Sequence, residues 1–352
     1  MSLRIAYVIG GFADSKLDYL VDSGKHPSVE YRLIASRNDA ELMTYDDIPS
    51  GRSLWSKLWR SLDRPQFGLA SLALEHAIKY DAIIASGEDI GLPLAIGSLL
   101  DTLNIPIYII THGSYFGSPK FNFVAALVRR AANVHFLCLS ETLCSQLTST
   151  FRIPESRVHN TSYGIDTDFF HPAEQPVTTS VPIIASAGTA FRDYRTLVAA
   201  CDGLEADVKI AADSAWFPLA IDIEDDQLPR NVEARSYGDY MALRDLYGAA
   251  RIVVVPLYPA KHACGYAVIA EAMAMGKCVV TTETESRSDF LIDGETGFYV
   301  PPRDPKALRA KLDLLLADPA LAARMGAAGR KRMEQQFSLD AYCKRIESVA
   351  FG

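Results

Sequence analysis

The stretch YPAKHACGYAVIAEAMAMGKCVV, residues 258–280, decides how this chain is read. Before it runs an apolar segment, Ile252–Leu257, that a proline at 256 brings to an end. A polar turn with Gly265 follows, and the spacing then predicts a helix from about Tyr266 to Met275, closed by Gly276, a good C-cap residue. A strand, a turn and a helix in that order present unpaired backbone N–H groups at the helix N-terminus, which suit a phosphate. Glu271 sits mid-helix among Ala, Met and Ile. A carboxylate there needs a partner or a solvated cleft. It is either a structural acid paired with a Lys or Arg, or a functional group.

Working outward, the same alternation recurs. Leu3–Ile9, Ala82–Ala85, Ile107–Ile110 and Val134–Leu139 read as buried parallel strands, with helical spacing over Phe67–Lys79, Ile90–Leu103, Phe121–Ala132 and Glu141–Thr150. Ser140 is placed to cap the last of these. A second series comprises Ile183–Ser186, Val208–Ala211, Ile252–Val255, Val279–Thr281 and Phe298–Val300. Between the series, His171–Pro182 holds three prolines and a Thr-Thr-Ser run, the composition of a linker. The fold class is α/β, with two facing Rossmann-like, doubly wound parallel sheets. The boundaries are an N-terminal domain over 1–170, a linker over 171–182, and a C-terminal domain over 183–337. The last helix, about 338–352, is expected to pack back on the first domain. Ligands in such sheets lie beyond the C-terminal strand ends, so the interdomain cleft is the default site.

Composition agrees. The 352 residues suit about two domains. With 35 Lys+Arg against 43 Asp+Glu the net charge is −8, poor for binding nucleic acid. Six scattered cysteines form no CxxC pair, so neither a metal cluster nor a redox motif is expected and a reduced setting is the simplest reading; no cofactor is expected. There is no apolar run long enough to span a membrane and no secretory h-region near the start, so the expected location is cytoplasmic. Neither GxGxxG nor GxxxxGK[ST] occurs at a strand–helix junction, which removes the signatures of dinucleotide oxidoreductases and NTPases.

Other strand ends carry candidates. Gly10-Gly11 lets backbone approach a ligand, or makes a plain turn. Glu88 and Asp89, after Ala82–Ala85, face ligand hydroxyls, or Asp89 caps the helix at 90. His112 follows Ile107–Ile110 directly; it is a ligand contact, or it satisfies a loop carbonyl. Leu54–Arg64 interleaves Trp and Leu with cations. It lies on a membrane surface at the cytoplasmic face, or packs Trp and Leu into the N-terminal domain, the reading its short length favours.

Several motifs in register resemble the retaining glycosyltransferases of GT-B fold, glycosyltransferase family 4 in particular. Glu271-Ala-Met-Ala-Met-Gly-Lys-Cys-Val-Val280 is similar to the second half of that family's E-x7-E and A-M-A-x-G-x-P-V-V signature. Ser162–Pro172 resembles its domain junction and Asp293–Pro305 its late loop and strand. The resemblance implies that Glu271 holds the donor ribose, and that backbone N–H groups of Gly265, Tyr266, Ala267 and Val268 meet the sugar and diphosphate. It implies a donor-side role for the loops at Gly10, Gly11 and Gly188, and a sugar or reaction-centre contact for His112. The first motif Glu is replaced by Ala263, flanked by His262 and Cys264. Thr189 stands where the family often has Arg. Arg192 is the best replacement as a phosphate cation, the alternative being an ion pair with Asp193 or another acid. Lys261 is a second cation candidate, or a solvated loop lysine.

The expectation is therefore metal-independent transfer of a sugar from a UDP- or GDP-sugar to a hydroxyl acceptor, with retention, His112 and Arg192 being catalytic. The acceptor is a glycan, a lipid-linked molecule or a small molecule. The rivals are a nucleotide-sugar epimerase of the same fold and a non-enzymatic sugar-binding protein.

Overall fold

A computed structural model describes residues 3–100, 104–173, 179–212 and 228–352. Part of the expected linker, 174–178, lies outside the described residues. The described residues form two six-stranded sheets. The first contains β1 (Ile5–Val8), β2 (Glu41–Met43), β3 (Ala82–Ala85), β4 (Ile107–Thr111), β5 (Val134–Cys138) and β6 (Val158–Asn160). Its order is β2-β1-β3-β4-β5-β6, every pairing parallel. The second contains β7 (Ile183–Ala187), β8 (Asp207–Ala211), β9 (Val232–Arg235), β10 (Ile252–Val255), β11 (Cys278–Thr282) and β12 (Gly297–Val300), ordered β12-β11-β10-β7-β8-β9 and again parallel.

Both faces of the central strands are covered, which is why those strands read as unbroken apolar runs. On β10, Val253 and Val255 join a core shared with the first sheet's side. Ile252 and Val254 point the other way, into a separate core with Leu308, Leu312 and Leu315. Each fully buried side chain of this kind contributes about 1.5–3 kcal/mol relative to exposure.

In the first sheet the winding reverses between β1 and β3; in the second it reverses between β7 and β10. Crevices open at the C-terminal ends of such strand pairs. Those ends carry Gly10-Gly11, Ser86–Asp89, Gly188 and the 257–265 turn.

The short edge strands β2, β6 and β9 were not legible in the pattern, because each is partly exposed and carries no apolar run. The helix read over Ile90–Leu103 begins at Glu88 and is described as far as Leu100, residues 101–103 lying outside the described residues. The one read over Glu141–Thr150 is α-helical only to Ser145 and widens to a π-turn over Gln146–Thr150; Ser140 Oγ accepts from the Leu143 amide at 3.4 Å. The helix Leu339–Ala350 lies against the helix Glu30–Asn38, tied by Arg37 to Asp340 at 2.6 Å and by Asn38 to Glu347 at 3.0 Å. No described helix is long and apolar enough to cross a membrane.

Candidate active site

The first half of the site gathers where β1, β3 and β4 end. The Gly10 amide donates to Ser86 Oγ at 3.0 Å, and the Gly11 carbonyl accepts from the Tyr45 amide at 2.8 Å. A Cβ at Gly10 or at Gly87 would come within 2.8 Å of an Asp89 carboxylate oxygen, so the two glycines leave the room Asp89 occupies. Asp89 lies inside the first helical turn and is not the cap of a helix starting at 90. Burial pushes its carboxyl up, and neighbouring Glu88 adds to this.

Glu88, expected to face ligand hydroxyls, has partners of its own in the loop after β4. It is only 3% exposed. Oε1 accepts the Gly113 amide at 2.6 Å, and Oε2 stands 3.5 Å from His112 Nδ1. An acid at the buried start of a helix is satisfied by the groups that helix packs on, here the loop after β4. Burial alone would raise the Glu88 carboxyl; the His112 hydrogen bond and charge outweigh it and hold the group below the usual range. Burial alone would lower His112, but Glu88, with smaller help from Glu30 and Asp89, raises it. The His112 ring thus meets a carboxylate, not a loop carbonyl, and its side chain keeps 42% exposure toward the cleft.

Glu30 was not singled out in the sequence, where it reads as an ordinary first-turn acid. The fold carries it into electrostatic reach of His112, and Tyr7 Oη donates to it at 3.3 Å. Burial raises its carboxyl.

The second half forms after β7 and β10. Gly188 has φ +93, a conformation glycine alone adopts easily, and Arg192 Nη2 lies 2.5 Å from where a Cβ would stand. Arg192 Nε donates to the Ala187 carbonyl at 2.8 Å and Nη1 to the Ala190 carbonyl at 2.9 Å, which hold the fork over Gly188. Asp193 is not its partner. That carboxylate caps the helix Tyr194–Cys201, accepting from the Thr196 amide at 3.1 Å and hydroxyl at 2.7 Å.

Gly265, at φ +78, opens the helix Tyr266–Ala274 with no side-chain cap. The first-turn N–H groups of Tyr266, Ala267 and Val268 therefore point out of the helix end. The Tyr266 side chain turns elsewhere: its hydroxyl donates to the Arg287 carbonyl at 2.7 Å and meets Ser140 Oγ at 3.0 Å.

One and a half helical turns on, Glu271 is 6% exposed and accepts Tyr247 Oη at 2.9 Å. Burial pushes its carboxyl up to about 7, against the opposing Tyr247 hydrogen bond and Arg192 charge. Its direct partner is thus a tyrosine, with Arg192 acting at longer range. Tyr247 gave no sequence signal beyond that of a core aromatic.

Lys261 forms an exposed ion pair with Glu285 at 3.5 Å. Ala263 donates its amide to the His112 carbonyl at 2.8 Å. Of its neighbours, His262 packs edge-on against Phe191 at 4.4 Å, and Cys264 is buried with its thiol pushed up by burial.

Together these groups make a cleft with a carboxylate–imidazole pair on one wall. The other wall has helix-end amides, a guanidinium and a carboxyl that titrates near neutrality. Amides and guanidinium can hold an anion; a carboxylate can accept two hydroxyls. Among the described residues no three His, Cys, Asp or Glu side chains gather as a metal site would need.

Residues 221–332 match the family model Glycosyl transferases group 1. The MMP alpha-(1->4)-mannosyltransferase of Mycolicibacterium hassiacum is 27% identical over 241 residues, covering 65% of this chain and 57% of that enzyme. The alpha-maltose-1-phosphate synthase of Mycolicibacterium smegmatis is 29% identical over 209 residues, covering 52% and 53%. The chain thus spans about half the length of these curated relatives. Among solved structures, Anabaena HepE in complex with UDP-glucose superposes with TM-score 0.71 at 16% identity, covering 99% of both chains. That likeness establishes the fold as GT-B.

Proposed function

We propose that this chain is a metal-independent, retaining glycosyltransferase that moves a hexosyl unit from a nucleoside-diphosphate sugar, UDP- or GDP-linked, to a hydroxyl acceptor. The observation that carries the reading is the meeting of two walls across one hydrogen bond, Ala263 amide to His112 carbonyl at 2.8 Å. It sets the uncapped helix end beside the His112–Glu88 pair. The group 1 family model over 221–332, the mannosyltransferase and synthase relatives, and a UDP-glucose complex among the fold neighbours support the same reading.

In this scheme Glu271 accepts the ribose hydroxyls, and Tyr247 orients it. The diphosphate sits on the amides of Tyr266, Ala267 and Val268, with Arg192 bridging its charge. Ala263 takes the place of a carboxylate that would touch the sugar, so the sugar is held from the His112 wall instead. Breaking the bond between the anomeric carbon and the phosphate oxygen leaves the diphosphate as an anion on those same donors. The acceptor oxygen attacks from the face the phosphate leaves, its proton passing to the departing phosphate oxygen. Closure excludes the water that would otherwise hydrolyse the donor.

The relatives named above are transferases and synthases, which favours transfer over epimerisation. The test is a thermal-shift panel of UDP-, GDP-, ADP- and dTDP-sugars, followed by turnover with and without EDTA. One base should raise the melting temperature above the rest, and turnover should survive the chelator. No shift with any donor sinks the reading; collapse in EDTA sinks its metal-free part.

A further inference from the structure

The segment after the cleft's rim presents the reverse of an ordinary surface helix. The helix Leu54–Ser61 continues into Leu62, whose amide bonds to the Leu58 carbonyl at 3.1 Å. Leu54, Leu58 and Leu62 recur at helical spacing and stand 84%, 42% and 53% exposed. Trp59, in contrast, packs inward, stacked on Phe67 at 4.8 Å. The expectation that Trp and Leu both pack into the domain therefore holds for Trp59 and fails for the leucines. Beneath lies an apolar cavity of about 400 Å³, lined by Trp59, Phe67, Leu74, Pro93, Ile96 and Leu100. Leu100 on its rim is itself exposed.

The charges of this face run against the molecule's. Residues 52–64 hold Arg52, Lys57, Arg60 and Arg64 against the single acid Asp63, in a chain of net charge −8. Arg52, Lys57 and Arg64 are exposed. The segment is tethered where it begins, the amides of Arg52 and Ser53 donating to Glu75 at 3.0 Å. It also follows directly on Tyr45–Ser50, which is pinned beside the cleft by the Tyr45 amide to the Gly11 carbonyl and by the Ala13 amide to Asp46 at 2.7 Å.

We propose that the Leu54–Leu58–Leu62 face docks this protein on an anionic lipid bilayer. Its leucines enter the headgroup boundary and its cations meet lipid phosphates. The geometry then holds the Gly11 rim of the cleft toward the membrane. The proposal rests on this face alone and stands whether or not the transferase reading holds. A solvent-exposed leucine stripe, in a segment whose cations Arg52, Lys57 and Arg64 are also exposed, fits a surface that is apolar inside and anionic outside. An acidic protein partner would satisfy the cations but leave the leucines without a counterpart.

The test is co-sedimentation with vesicles of phosphatidylcholine alone and of equal parts phosphatidylcholine and phosphatidylglycerol, at low and high salt. Wild-type protein should pellet with the mixed vesicles, less so in high salt. Leu54→Glu/Leu58→Glu/Leu62→Glu and Lys57→Glu/Arg64→Glu should each weaken that binding at least tenfold. Both should keep the wild-type melting temperature, since all five side chains are exposed, so lost binding cannot be lost folding. Failure of the wild type to pellet with anionic vesicles, or binding unchanged in the variants, overturns the proposal. So does a wild-type dimer that the leucine variant converts to monomer, which would assign the face to a second copy.

Discussion

The Ala263 amide donates to the His112 carbonyl at 2.8 Å, joining the loop after β10 to the loop after β4. One bond between two loops, each at the C-terminal end of a strand, brings the walls of the cleft together. A second set of contacts supports it. Asp289 accepts the Glu141 amide at 3.1 Å, Asn160 Nδ2 at 3.0 Å and Ser162 Oγ at 2.7 Å. The chemistry of each wall can be tested separately.

Glu271 should titrate near pH 7 in the folded protein, well above the usual carboxylate range. A carboxyl whose folded pKa lies above its unfolded value binds more protons when folded. Its contribution to stability therefore falls as pH rises from about 4.5 toward about 7 and is level beyond. Melting temperatures across that window should decline less in Glu271→Gln than in the wild type. Parallel curves would show that the group is not shifted. Nucleotide-sugar affinity should drop at least tenfold in Glu271→Ala, about 1.4 kcal/mol.

Glu88→Gln keeps an oxygen to accept the Gly113 amide but removes the charge beside His112. The His112 pKa should fall, because Glu88 is what raises it. The limb of the pH–rate profile that reports His112 should move acidward, with donor affinity little changed. An NMR titration of the His112 ring checks the shift without reference to turnover, and an unmoved ring would dismiss Glu88 as its positioning partner.

Arg192→Ala should weaken nucleoside diphosphate binding at least tenfold in calorimetry, while affinity for the nucleoside monophosphate changes less. Arg192→Lys should recover only part of the loss. A lysine supplies a point charge and lacks the fork that the Ala187 and Ala190 carbonyls hold in place. Equal affinities across the three proteins would remove Arg192 from the anion site.

Gly188→Ala adds a methyl at φ +93, against the Arg192 guanidinium. The backbone strain should cost about 1–3 kcal/mol, read as a lower melting temperature. Diphosphate affinity should fall with it, because the guanidinium must give way. A stable variant with unaltered binding would show that the turn tolerates side chains.

Local pattern carried much of this protein. The inner strands were legible because both their faces are buried, so sequence hydrophobicity and tertiary position coincide there. Gly265 and Glu271 were legible because one opens a helix without a cap and the other is a lone acid on an apolar one. Glu88 was located, but its partners were not. Nothing local reveals that its carboxylate turns onto a loop 25 residues away. Lys261 read equally as a cation of the site or a loop lysine, and its ion-pair partner, Glu285, lies beyond the intervening helix and strand, where no local spacing points to it.

By itself, then, the sequence determined two parallel α/β sheets and the loops that carry the chemistry, since periodicity and turn residues act over a few neighbours. Only the tertiary structure decided which groups face one another. Glu30 lies within electrostatic range of His112, Tyr247 meets Glu271, and three leucines stay in solvent. Each of those outcomes depends on how separate helices pack, and packing depends on contacts that no local spacing encodes.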